Sequence, residues 1–126
     1  MPKTVHPSPR GPAPIGPYSI VTEANGFVFL SGMVAVDPET NAAVAGGADA
    51  QTHQVMRNIG AVLGDVGLAY EDIVKTTIFL ADIDDFPVVN AVYSAYVGTA
   101  KPARSTIEAG ALPGGYRVEV EVIAAR

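Results

Sequence analysis

Cysteine is absent from the 126 residues, and that one omission removes disulfides, thiolate nucleophiles and every cysteine-based metal site. Histidine occurs twice, as His6 and His53, and neither joins a second histidine at a metal-binding spacing, so no metal site is assigned. Positive charge is scarce too. Eight Lys and Arg face thirteen Asp and Glu, for a net charge of −5, with no basic cluster to neutralise a run of phosphates. Nucleic acid is therefore a poor partner. No apolar stretch approaches the roughly 20 residues of a membrane-spanning helix, and the first ten residues lack the apolar core of a secretory signal. The chain is accordingly expected in the cytoplasm and off the membrane. Phosphate loop, dinucleotide glycine fingerprint and Gly-x-Ser-x-Gly elbow are all missing, which leaves nucleotide-dependent chemistry and elbow-type serine hydrolysis without support.

What remains is a globular composition, 48% hydrophobic and 17% charged, of a length that suits one domain over residues 1–126. Prolines at 2, 7, 9, 12, 14 and 17 predict an irregular arm over residues 1–12. Ser19–Thr22 and Phe27–Ser31 are β-prone and flank Asn25-Gly26, a dipeptide that favours left-handed turn geometry, so they read as a hairpin. From Asp49, apolar residues recur at three and four through Val55, Met56, Ile59, Val62, Leu63 and Val66, the pattern of an amphipathic helix capped by Asp49 and closed by Gly67. Ile73–Leu80 is rich in β-branched residues and reads as a strand. Asp84 or Asp85 then caps a second helix, with Pro87 in its first turn, Phe86, Val89, Val92, Tyr93 and Tyr96 inward, and Gly98 at its end. Val118, Val120 and Val122 alternate with Glu119, Glu121 and Ile123 in a last strand. The succession predicts an α+β fold, a mixed sheet with two helices packed on one face.

Four places put polar or backbone-freeing residues where periodicity favours apolar ones. Arg104 sits in a β-prone stretch of small residues, where its planar fork could hold a carboxylate or simply face solvent. Glu119 and Glu121 share one strand face, which is either a solvated face or an acid–base site. Tyr18 follows two residues that restrict the backbone, so it either closes a pocket or fills the core. Ser31-Gly32 ends the hairpin strand, and glycine there admits a close approach by a ligand or another chain, or merely makes a bend.

In order along the chain, IGPYS (15–19), LSGMVAVDP (30–38), DIVKTTIFLADIDDF (72–86), VNAVY (89–93), PARSTIEAGALP (102–113) and VEVEVIA (118–124) resemble the RidA (YjgF-type) family over about nine tenths of the sequence. That resemblance implies a chorismate-mutase-like fold, assembling as a homotrimer with a central β-barrel and clefts at the subunit boundaries. It implies cofactor-independent deamination of 2-imino or enamine acids, of the 2-aminoacrylate and 2-iminobutyrate type, to 2-keto acids and ammonia. By similarity Arg104 grips the substrate carboxylate, Glu119 positions water or relays a proton, and Tyr18, Ser31, Asn90 and Thr106 line the pocket. The ligand expected is a small 2-imino or 2-keto acid. Thr106 stands where relatives often have cysteine, Met33 where they often have glutamine, and the chain is a few residues short between Tyr96 and PARS. A non-catalytic carboxylate-binding member and a ribonuclease are the competing readings.

Overall fold

The computed structural model describes residues 2–126. Eight strands and two helices follow one another in the order β1 (Thr4–His6), β2 (Val21–Ala24), β3 (Phe27–Met33), β4 (Val36–Asp37), β5 (Ala42–Ala43), α1 (Ala48–Asp65), β6 (Ile73–Leu80), α2 (Phe86–Val97), β7 (Ala103–Glu108) and β8 (Val118–Ala125). Six strands make one sheet in the order β1-β2-β3-β8-β6-β7, and β4 and β5 form a separate small hairpin. Only β6 and β7 run parallel; α2 is the crossover between them.

Local chemistry explains most boundaries. Asn25 and Gly26 hold φ of 55° and 81°, the left-handed pair that a two-residue hairpin requires, and join β2 to β3. Gly67, at φ 78°, ends the first helix, with Leu68 N–H returning to the Leu63 carbonyl. The expected Asp49 cap is not the cap: Gly47 occupies that position in extended conformation, and Asp49 lies inside the first turn, where its charge still favours the helix dipole. Ile83–Asp85 form a 3₁₀ turn capped by the Asp82 carboxylate, and Asp85, one of the two residues expected to cap the second helix, holds its N-cap position without a side-chain capping hydrogen bond.

Both helices pack on one sheet face. Val55, Met56, Ile59, Val62 and Leu63 of α1 are fully buried against Val28, Leu30, Val120 and Val122 of the central strands. The other sheet face is open. It carries Glu119, Glu121 and Ile123 of β8, which alternate with the buried valines, together with the exposed Phe27 and Phe29 of β3 and Ile107 of β7. Two findings go beyond the sequence expectation: Thr4–His6, within the supposedly irregular arm, pairs with β2, and Ala103–Glu108 forms the parallel edge strand. The arm is also clasped to α1, where Asp65 accepts from Ser8 Oγ (3.0 Å), Arg10 N–H (3.0 Å) and Arg10 Nε (2.8 Å). Among the described residues, no helix is long and apolar enough to cross a membrane.

Candidate functional site

The six residues singled out in the sequence fall into two groups. The first surrounds a cavity of about 670 Å³ beneath the N-terminal arm, where Tyr18, Ser31 and Glu119 meet with Gly32, Glu121 and Tyr116. Its geometry follows from an irregularity in β3. Leu30 pairs with Val122 and Met33 with Val120, so Ser31 and Gly32 together oppose the single residue Glu121. Such a bulge turns the strand end and re-aims its side chains. Ser31 Oγ donates to the Ser19 carbonyl at 2.6 Å, and its N–H bonds the Ile20 carbonyl at 2.9 Å, which fixes the segment carrying Tyr18. The Tyr18 ring is half-exposed over the cavity.

Glu119 has an unusual environment for a carboxylate. Burial pushes its pKa above 4.5, and the neighbouring charge of Glu121 adds to that rise. Within one chain Arg104 lies elsewhere, so nothing offsets the two raising effects.

The second group lies at the β7 edge, on the helix side. Arg104 pairs in register with the buried Thr76, and its guanidinium carbon lies 5.4 Å from the centre of the Phe86 ring and 5.3 Å from that of Tyr93. Arg104 NH1 donates to Asn90 Oδ1 at 2.6 Å, and the Tyr93 hydroxyl shares a 2.7 Å bond with Thr76 Oγ1 that holds the ring. Among the described residues no carboxylate pairs with Arg104. Two residues along the same strand face, Thr106 Oγ1 is buried without a hydrogen-bond partner and lines a hollow with Ile83, Asp84, Phe86 and Pro87. An oriented cation and an unsatisfied hydroxyl, two residues apart on one strand face, are donor groups of the kind a carboxylate accepts from.

Periodicity offered a clue to this platform that the sequence reading passed over. Phe86, Asn90 and Tyr93 are spaced four and three apart, so they share one face of α2, the face that meets Arg104. Alternation had already put Glu121 on the Glu119 face, whereas Tyr116 as a cavity wall had no such signal, because its placement depends on the turn at Pro113–Gly115. Neither histidine belongs to either group: His6 bonds Glu23 at 2.7 Å and His53 bonds the Tyr96 hydroxyl at 2.9 Å.

With this geometry in place, the likeness to known proteins is decisive. The model of the endoribonuclease L-PSP family matches residues 9–126. The chain belongs to that family. Reactive Intermediate Deaminase A, chloroplastic, of Arabidopsis thaliana is 44% identical over 122 residues, 97% of this chain and 65% of the relative. The 2-iminobutanoate/2-iminopropanoate deaminase of Mus musculus is 40% identical over 115 residues, 91% of this chain and 85% of the relative. Among solved structures of the family, E. coli TdcF with bound serine superimposes with a TM-score of 0.91 at 32% identity, covering 98% of both chains. The RidA resemblance and the α+β architecture with two helices on one mixed sheet are thereby established.

Proposed function

We propose that this protein hydrolyses 2-imino acids to 2-keto acids and ammonia at a site assembled from two copies of the chain. The observation that carries the reading is Arg104: a guanidinium fixed by Asn90 and two aromatic rings, with no carboxylate of its own to hold. Its fork suits the carboxylate of a small acid, and Thr106 Oγ1 offers a further donor beside it. The names of the Arabidopsis and mouse relatives and the serine bound to TdcF agree with a ligand of this class.

Arg104 and Glu119 occupy opposite faces of the sheet, with β6 between their strands. One chain therefore cannot bring both to one small molecule. Association of three copies through the open, apolar sheet face would bring the Arg104 group of one to the Glu119 group of the next. There the substrate carboxylate would sit on Arg104 while its iminium carbon faced Glu119. Water attacks that carbon as Glu119 takes a proton from it, Glu119 returns that proton to the amino nitrogen, and the C–N bond breaks as the hydroxyl becomes the keto oxygen and its proton leaves with ammonia as ammonium, so the carboxylate ends as it began. Burial and Glu121 raise its pKa within one chain, and the Arg104 charge across the boundary would act in the opposite direction. RNA cleavage fits less well, with a net charge of −5 and both histidines engaged outside the two groups.

The test is to generate 2-iminobutyrate in situ from threonine with a dehydratase and follow its loss. Wild type should accelerate hydrolysis, and Arg104→Ala should lose about 100-fold or more in kcat/KM. Co-assembled Arg104→Ala and Glu119→Gln chains should regain about one quarter of wild-type activity, the chance that a boundary unites the two intact halves. Wild type binding 2-ketobutyrate without accelerating hydrolysis would instead identify a carboxylate-binding protein. No recovery on mixing would overturn the pairing of Arg104 with Glu119 in one shared site.

A further inference from the structure

Gly32 has a use that neither a bend nor a ligand explains. It is not among the glycines with positive φ, so alanine could adopt its backbone and the requirement for glycine is spatial. A Cβ at this position would lie 2.8 Å from the carboxyl carbon of Glu119, 3.1 Å from its Cγ, and closer still to Oε2. The group that approaches the glycine is therefore the carboxylate two strand positions beyond the bulge partner Glu121.

We infer that Gly32 is a positioning residue: its missing side chain, presented by the Ser31–Gly32 bulge, is the seat that sets where the Glu119 carboxylate lies in the cavity. The inference rests on the reading of Glu119 as the proton carrier. The bulge is what makes the seat possible. Without the extra residue, position 32 would oppose Val120 and point into the core, and no residue of β3 would meet Glu119 in this way. The seat also restricts the carboxylate on one side, leaving its approach from the open cavity. The titratable groups facing it there are Glu121, Tyr18 and Tyr116, with Lys75 of β6 on the same sheet face.

A methyl group at position 32 would push the carboxylate off its seat without touching the Arg104 platform. Gly32→Ala should lower kcat by about tenfold or more while KM for 2-iminobutyrate changes by less than about twofold, and the pH–rate profile should shift because Glu119 moves to different surroundings. Adding Glu119→Asp, whose carboxylate is one methylene shorter, should restore part of the loss, so the double variant outperforms the product of the single effects. A stability measurement keeps the seat testable apart from turnover. Gly32→Ala should lower Tm in the wild-type background and cost nothing once Glu119→Ala has removed the opposing side chain. Unchanged kcat and additive Tm effects would overturn the inference, as would a Gly32→Ala/Glu119→Ala chain that fails to fold. If Glu119→Gln retains full activity while the Tm coupling persists, the proposed reaction falls and the seat stands.

Discussion

The Arg104 platform and the Glu119 cavity handle charge in opposite ways. At the platform a cation is anchored before any ligand arrives: Asn90 takes one donor, Phe86 and Tyr93 hold the guanidinium plane, and Thr76 holds Tyr93. In the cavity an anion is left poorly solvated, beside a second anion and against a glycine. The first arrangement uses local contacts to fix geometry, and the second accepts an electrostatic cost that raises the Glu119 pKa. The groups proposed for binding and for proton transfer thus lie on two sides of one sheet.

The sharpest way to break this contrast is at the carboxylate. Glu119→Gln should lower kcat by about 100-fold with little effect on product affinity, since it removes the proton carrier and spares the platform. The same change should raise Tm. A carboxyl whose folded pKa is raised stabilises the fold below its ordinary value of 4.5 and loses that contribution as pH rises through the folded value. The gain from glutamine should therefore be evident at pH 8 and vanish near pH 4, and a loss of Tm at pH 8 would contradict the desolvated carboxylate. Asn90→Ala tests the other side: with its one hydrogen-bond partner gone, Arg104 should bind 2-ketobutyrate about tenfold more weakly, while the pH–rate profile keeps its shape. The smallest effect belongs to the arm that roofs the cavity. Burial would raise Asp65, but Arg10 and Ser8 outweigh it and hold the carboxyl below its ordinary range. Its contribution is present above the ordinary carboxylate pKa and is lost as pH falls through the depressed value. Asp65→Asn should thus cost about 1 kcal/mol at pH 7 and almost nothing near pH 2, as followed by thermal unfolding.

Legibility in the sequence followed the range of the interaction. The amphipathic face of α1, the bounds of β6 and the alternation of β8 are local patterns, and each is where periodicity put it. The expectation for the arm missed Thr4–His6, because nearby prolines argue against regular structure while the pairing comes from Val21–Glu23, seventeen residues away in the register of Val5 with Thr22. Asp49 looked like a cap because residue type alone was weighed, whereas the extended backbone at Gly47 decided the helix start. Arg104 was visible as a lone cation among small residues. Its aromatic platform required knowing which helix face meets β7, and the Gly32–Glu119 approach required the bulge, a register shift that no single residue announces.

Glu23 offers a different lesson. One carboxylate oxygen meets His6 at 2.7 Å and the other meets Arg126 Nε at 2.9 Å, which holds its pKa below the usual range. Arg126 N–H also bonds the Gly26 carbonyl at 3.0 Å, so the last residue is stitched to the hairpin turn. One carboxylate on β2 therefore ties the edge strand β1 to the residue that follows β8, two strands that share no backbone pairing.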